Sequence, residues 1–231
     1  TSSAPASDEA IRRMIKETDG DRFEEARSVE QELTFVEAEK AFGSREIRFG
    51  PMRMKTLGMI NEEGLYTNLA LLLSDQCPHI IKAATFSGKD REEFQDRREF
   101  TGSLLKQLNE AYSYLDMRNQ MRARFEGLYR IDSRDYAESA LRESLLNAIV
   151  HRDYSFSAST LISVYDNRIE IVSYGGLAGN AALEDVLNGL SVCRNQKLAN
   201  IFYRLKLIEA YGTGLRKICD SYSKTDLRPE F

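Results

Sequence analysis

The sequence lacks several residue types and patterns on which whole classes of protein depend. It has no tryptophan, two histidines and three cysteines among 231 residues. The cysteines are Cys77, Cys193 and Cys219, an odd and widely spaced set without a CxxC pair, so neither a disulfide framework nor a zinc site is indicated. No apolar run reaches the length of a membrane helix, and no signal-peptide pattern is present. We therefore expect reduced thiols in a cytoplasmic protein.

Two further absences concern nucleic-acid enzymes. The chain contains no Walker A sequence and no set of helicase motifs. Its net charge is −4, with 32 basic and 36 acidic side chains, whereas strong nucleic-acid binders usually carry a basic face. This balance argues against strong nucleic-acid binding by the chain alone and leaves room for a local basic patch. A hydrophobic content of 42% is typical of a soluble globular protein with one large or two modest domains.

The most informative stretch is 139–154, SALRESLLNAIVHRDY, whose apolar residues recur at helical spacing. Glu143 and Asn147 lie one turn apart, so their side chains project together from one helix face. A carboxylate can take a proton from water, and an amide oxygen can bind a hard cation such as Mg²⁺. The alternative is an exposed polar face on an ordinary amphipathic helix.

Basic and amide residues flank this predicted site. His151 and Arg152 either meet the negative end of the helix dipole or face a phosphate group. Asn195 is predicted to cap a helix from Gln196 to Leu205. Arg194 and Asn195 are further candidates in the family resemblance described below, which implies a lid over a nucleotide here.

Glycines follow in two places. Residues 163–172, SVYDNRIEIV, predict two strands around an Asp-Asn turn, and Ser173-Tyr174-Gly175-Gly176 comes directly after them. Gly212-Thr213-Gly214 precedes another predicted helix. Glycines before a helix let backbone N–H groups approach phosphate oxygens, although a glycine pair can also simply make a turn.

The remaining pattern predicts alternating helices and strands. The elements are a helix from Ser7 to Thr18, a helix from Thr34 to Phe42 with Gly43 as its C-cap, a helix from Pro51 to Met59, a short helix within 66–74 where a buried strand is the alternative, a strand from Ile80 to Ser87, a helix from Thr101 to Arg118, a strand from Phe125 to Ile131, and a loop and helix over the pocket within 177–190. The arginines 97, 98, 118, 122 and 124 form basic clusters. These clusters are either solvated faces or a surface for phosphate or a partner.

Along the chain come the helix with Glu143 and Asn147, a hairpin, a glycine pair, a long loop and a GTG sequence before a helix. This order resembles the GHKL ATPase fold of gyrase B, Hsp90, histidine kinases and MutL. In that resemblance Glu143 and Asn147 match the N-box, Ser173-x-Gly175 falls at the Asp-x-Gly box, and Gly212-Thr213-Gly214 matches the start of the last glycine box. A closer resemblance is to the AlbA-type (Schlafen-like) transcriptional regulators, also called RecG-related ATP-binding proteins. The strings that carry it are ALRESLLNAIVHRDYS, DNRIEIVSYGGL, SVCRNQKLANIFYRLKLIEAYGTGLRKI and RPEF.

The resemblance implies an α+β fold in two parts. Residues 1–64 would form a helical connecting domain, winged-helix-like in outline. Residues 65–231 would form a divergent GHKL-like ATP-binding domain with its core at 130–231, an α/β sandwich with a mixed sheet and helices on one face. Because 1–7 is linker-like and the RPEF string falls where the family's GHKL-like domain ends, we expect a fragment.

The resemblance implies an ATP- and Mg²⁺-binding regulatory module of a DNA-binding transcriptional regulator. The DNA-contacting AlbA-like domain would lie outside this chain, and the assembly would be a homodimer. Asn147 would ligate Mg²⁺, Glu143 would act on the attacking water, and Gly212 and Gly214 would hold the phosphates. One alternative is a slow ATPase associated with DNA transactions. Another is a degenerate fold used for dimerisation or partner binding, because Ser173 replaces the family's Asp and two further glycines are replaced, at 177 and 216.

Overall fold

The computed structural model of the protein describes residues 22–91, 93–177, 182–190, 192–209, 214–223, 225 and 227–231. The helix predicted from Ser7 to Thr18 lies outside these residues, as do Gly212 and Thr213. No helix in the described ranges is long and apolar enough to cross a membrane.

Six strands form two sheets. They are β1 (Ile81–Ser87), β2 (Glu93–Phe100), β3 (Met121–Glu126), β4 (Tyr129–Arg134), β5 (Thr160–Val164) and β6 (Ile169–Val172). The larger sheet has the order β2-β1-β5-β6, in which β1 and β5 are parallel and the other neighbours antiparallel. Strands β3 and β4 pair with each other in a separate hairpin. The larger sheet is therefore mixed, as predicted.

Eight α-helices are described, together with a 3₁₀ turn at Phe23–Glu25 that precedes them. They are α1 (Val36–Gly43), α2 (Pro51–Leu57), α3 (Asn68–Leu73), α4 (Leu104–Arg118), α5 (Glu138–Val150), α6 (Leu183–Leu187), α7 (Gln196–Arg204) and α8 (Gly214–Ser221). Local chemistry sets several ends. Pro51 occupies the first turn of α2, Gly58 ends it in the left-handed conformation, and the Ser103 hydroxyl accepts a hydrogen bond from the Leu105 amide at the start of α4.

One apolar cluster connects the helices to the sheet. Alternate residues of β1, such as Ile81 and Ala83, are buried together with Leu108 of α4 and Leu145 of α5. Burying each leucine side chain contributes about 1.5–3 kcal/mol. The same cluster includes Phe42 of α1, so the N-terminal helices share this core. The predicted α+β class is confirmed, while the boundary between residues 64 and 65 stays a prediction.

Two predictions of strands need correction. Strand β2 was not expected, because its sequence EFQDRREF is charged and shows no apolar alternation. Only one of its eight residues is buried, and backbone pairing with β1 holds the strand in the sheet. The single strand predicted from Phe125 to Ile131 is instead the end of β3, a two-residue turn and the start of β4, and Gly127 in the turn adopts a φ of 60°. Helix α1 also runs through Gly43, and Ser44 is its C-cap.

A buried carboxylate ties the 3₁₀ turn to helix α7, about 170 residues later in the chain. The oxygens of Glu24 accept hydrogen bonds from the backbone N–H groups of Lys197 (2.8 Å) and Leu198 (2.9 Å). These groups lie in the first turn of α7, where no helical carbonyl is available to them. Burial raises the pKa of Glu24, and the two N–H bonds act in the opposite direction. The turn and α7 are therefore positioned together.

Candidate functional site

Helix α5 carries the predicted site on the side away from its apolar face. Leu141, Leu145 and Ile149 are buried, as their spacing predicts. Helix α8 lies beside α5 and runs antiparallel to it: the Ser221 and Ser139 hydroxyls hydrogen-bond at 2.8 Å at one end. At the other end, the first residue of α8 reaches the polar side chains in the middle of α5.

The contact at that end brings Glu143, Asn147 and Gly214 together. A Cβ atom added to Gly214 would lie 3.1 and 3.2 Å from the two amide atoms of Asn147 and 3.3 Å from Oε2 of Glu143. These separations are too short for an unstrained methyl group. An added Cβ at this position would therefore require the side chains of Asn147 and Glu143 to shift by a few tenths of an ångström.

Sequence reasoning missed Arg142, which holds the Glu143 carboxylate. Its Nη1 lies 2.5 Å from Oε1 of Glu143, and its Nη2 donates to the carbonyl oxygen of Leu207. One carboxylate oxygen is therefore engaged by a cation, and the other faces Gly214. Adjacency in the sequence was the only signal, and neighbouring helix residues do not normally face each other.

The amide of Asn147 receives no hydrogen bond from any group in the part of the chain that the structure describes. No group of three or more His, Cys, Asp or Glu side chains that could hold a metal occurs there either. Mg²⁺ does not require such a group, since it commonly keeps several waters and uses one or two protein oxygens plus substrate phosphates. The residues present on α5 thus fit a nucleotide-bound Mg²⁺ and do not form an independent metal centre.

Arg152 lies in the core. It is 1% exposed, its Nη2 lies 3.2 Å from Nδ1 of His79, and it donates to the carbonyl oxygen of Ala158. Its guanidinium also lies over the ring of Tyr154, at 5.0 Å. Burial lowers the pKa of Arg152, and its Nε has no hydrogen-bond partner within the described ranges. These contacts assign Arg152 to the packing of the β5 end of the sheet.

Residues 194 and 195 bind the carbonyl groups at the C-terminal end of α5. The Asn195 side chain donates to the carbonyl oxygens of Val150 and Arg152, both at 2.8 Å. Arg194 Nε donates to the carbonyl oxygen of His151 at 3.2 Å. Asn195 does precede α7, but its side chain makes no hydrogen bond to the N–H groups of that helix, so the predicted side-chain cap is wrong. The Glu24 carboxylate accepts hydrogen bonds from these N–H groups instead.

The same arginine connects α5 to the loop after β6. Arg194 Nη1 lies 3.3 Å from Asp153 Oδ2, and Nη2 donates to the Gly176 carbonyl oxygen at 2.8 Å. Gly175 has a φ of 114°, and a Cβ there would lie 3.1 Å from the Asp153 Cβ. Ser173 begins this loop and is half-exposed. A glycine at 175 is therefore needed for both conformation and space.

The predicted site residues thus fall into two groups along α5. The first consists of Glu143, Asn147 and Gly214, and the second joins His151 to Arg194 and Gly175. Asn147 and His151 are one helical turn apart, so both groups lie toward the C-terminal half of α5. Burial, followed by the charge of Arg194, lowers the pKa of His151, which favours a neutral ring.

Comparison with known proteins relates the C-terminal third of the chain to one family. The family described as "Putative ATP-dependent DNA helicase recG C-terminal" matches residues 158–231. This similarity supports the RecG-related, ATP-associated part of the resemblance. The AlbA-specific and GHKL-specific parts stay predictions. No curated protein matches the chain.

A solved structure shares the fold over nearly the whole chain. The DIP2311 protein from Corynebacterium diphtheriae matches with a TM-score of 0.76 and 20% identity, covering 94% of this chain and 46% of that one. At this identity the match shows the fold alone. The chain spans less than half the length of that protein.

Proposed function

We propose that this chain is an ATP- and Mg²⁺-binding regulatory module of a DNA-associated protein. The nucleotide phosphates would lie at the N-terminal end of α8, beside Glu143 and Asn147. The observation that carries the proposal is the close approach of Gly214 to both of these side chains. The similarity of residues 158–231 to an ATP-dependent DNA helicase family supports the same ligand and the association with DNA.

The proposed phosphate end of the site combines three elements. Backbone N–H groups at the start of α8 are available for oxygen ligands and carry partial positive charge. The Asn147 amide would supply an oxygen for a hard cation. Mg²⁺, when bound, would supply positive charge to the phosphate oxygens.

Glu143 is the proposed catalytic residue if hydrolysis occurs. Its Oε2 faces the α8 end, and its Oε1 is fixed by Arg142. A fixed carboxylate can orient a water molecule and accept its proton. Slow turnover is compatible with a regulatory role, since a switch requires only different contacts in two nucleotide states.

The other end of the proposed site is the loop that Arg194 connects to α5. Ser173 would face the base and can accept or donate a hydrogen bond without carrying a charge. Arg194 would hold this loop near the end of α5, while His151 contributes its carbonyl group to the same attachment. We leave Arg152 out of the proposed ligands because its guanidinium is buried.

Three wider parts of the proposal concern the whole protein. They are a transcription-regulating role with an AlbA-like DNA-contacting domain outside this chain, a homodimer, and a cytoplasmic location. Sedimentation of the chain with and without nucleotide tests the dimer. A monomer under both conditions would contradict it.

The proposal is tested by calorimetric titration with a non-hydrolysable ATP analogue and Mg²⁺. Asn147→Ala should weaken binding about tenfold, which is about 1.4 kcal/mol. Asn109→Ala, on the exposed face of α4, is the matched control and should bind like the wild type. Absence of binding by the folded wild-type chain at millimolar nucleotide would reject the proposal.

That rejection would favour the second candidate, a degenerate fold used for partner binding. The specific observation in its favour is that Arg142 already engages one oxygen of Glu143, at 2.5 Å. Phosphate release measured with the wild type and Glu143→Gln separates binding from hydrolysis. A rate unaffected by this substitution would exclude Glu143 as the catalytic residue.

A further inference from the structure

The β3–β4 hairpin carries exposed aromatic and apolar side chains. Phe125, Leu128 and Tyr129 at its tip are 72%, 96% and 79% exposed. Within the described part of the chain, these strands pair only with each other. A two-stranded hairpin alone is at best marginally stable in water, and exposed apolar clusters of this kind mark interaction sites. The tip of the hairpin is therefore a candidate interaction surface.

The charge of the hairpin is opposite to that of the chain. Residues 121–134 contain four arginines, no lysine, one glutamate and one aspartate, giving a local charge of +2 within a chain of net charge −4. Arginine combines a cation that binds phosphate with a planar group that stacks on rings. An arginine-rich aromatic surface is typical of single-stranded nucleic-acid sites, where bases stack on rings and cations follow the backbone.

The strand register places a ring and a cation side by side. Phe125 lies opposite Arg130, and residues opposite each other in an antiparallel pair share a face. On the other face Tyr129 lies opposite Glu126. The Phe125–Arg130 face therefore offers a stacking ring and a cation together.

The hairpin arginines also have acidic neighbours. Arg130 Nε lies 2.7 Å from Asp132 Oδ1, and Arg122 pairs with Asp135. The side chains of these two arginines remain 61% and 68% exposed. Exposed ion pairs of this type contribute only about 0.2–1 kcal/mol, so a phosphate can replace the carboxylate. Arg134, bound to Asp116 and Glu138, instead fixes the base of the hairpin to α4 and α5.

We propose that the β3–β4 hairpin is an arm that binds single-stranded nucleic acid, with a base stacked on Phe125 and a phosphate held by Arg130 on the same face. This inference does not depend on the nucleotide site of α5. It assigns a nucleic-acid contact to this chain itself, whose overall composition is acidic.

The test is fluorescence anisotropy of a labelled oligothymidylate of about 20 nucleotides, titrated with the intact chain at several salt concentrations. Phe125→Ala should weaken binding about tenfold through lost stacking. Arg130→Gln should weaken binding and reduce the slope of log affinity against log salt by about 0.7, the contribution of one phosphate contact.

The matched control is Tyr203→Ala with Arg204→Gln, an exposed ring and arginine on α7, which should bind like the wild type. Thermal unfolding of each variant verifies folding. Oligonucleotide binding that is absent at low salt, or unchanged in the hairpin variants, would overturn the proposal. Loss of self-association without any effect on the oligonucleotide would likewise overturn it and identify the hairpin as a protein interface.

Discussion

The buried carboxylate of Glu24 offers the sharpest test of how the fold is held together. This side chain is fully buried, and its two oxygens accept the backbone N–H groups of Lys197 and Leu198. Glu24→Ala removes both acceptors and leaves two donors at a helix N-terminus. A buried donor without a partner costs about 1–3 kcal/mol. Because water can reach the partly buried Lys197 amide, we expect a total loss of about 2–4 kcal/mol.

Glu25→Ala is the control for this prediction. Its carboxylate belongs to the same 3₁₀ turn and lies 3.3 Å from Lys197 Nζ, but both side chains are about 40% exposed. Exposed pairs contribute about 0.2–1 kcal/mol.

The assay is urea unfolding at neutral pH, followed by circular dichroism. In a domain of this size each kcal/mol also lowers Tm by about 2–4 °C. The reasoning would be refuted if the Glu24 variant were no less stable than the Glu25 variant.

Three other predictions follow from single contacts. Gly214→Ala should lower the free energy of unfolding by about 1–3 kcal/mol through the close contact with α5. Gly43→Ala, whose added Cβ meets open space, should not lower it, and thermal unfolding distinguishes the two variants. Asn195→Ala should cost about 1–3 kcal/mol in the same assay because two carbonyl groups lose their donor. Burial, with the charge of Arg152, lowers the pKa of His79 to about 4, so stability should fall by up to about 3 kcal/mol as pH drops from 6.5 toward 4. His79→Gln should flatten this dependence in urea unfolding measured across pH, and an unchanged profile would contradict the assignment.

The elements predicted well are those in which one local pattern decides the outcome. Helices α4 and α5 have apolar residues at helical spacing, and β1 alternates toward a single buried face. The turn after β5 carries its own signal in the Asp-Asn pair. In each of these cases the side chains nearby in sequence also determine burial.

The elements missed depend on backbone pairing or on partners distant in sequence. Strand β2 has a charged sequence and forms because β1 supplies hydrogen-bond partners. Neither the Glu24 cap nor the Arg142–Glu143–Leu207 connection leaves a local pattern. Periodicity reports which face is buried and not which distant backbone group a polar side chain will bind.

The candidate site shows the same division. The one-turn spacing of Glu143 and Asn147 follows from helix geometry. The approach of Gly214 to both side chains depends on how α8 packs against α5 and could not be read from either helix alone. The role of Arg152 could not be read from its sequence neighbours, because its burial depends on His79 and on the segment before β5.

The central claim, that Asn147 binds a nucleotide-bound Mg²⁺, is tested most directly by a cycle of four titrations. The non-hydrolysable ATP analogue is titrated into the wild type and into Asn147→Ala, each with and without Mg²⁺. The account predicts that Mg²⁺ strengthens wild-type binding about tenfold more than it strengthens binding by the variant, a coupling of about 1.4 kcal/mol. Equal effects of Mg²⁺ on the two proteins would contradict it.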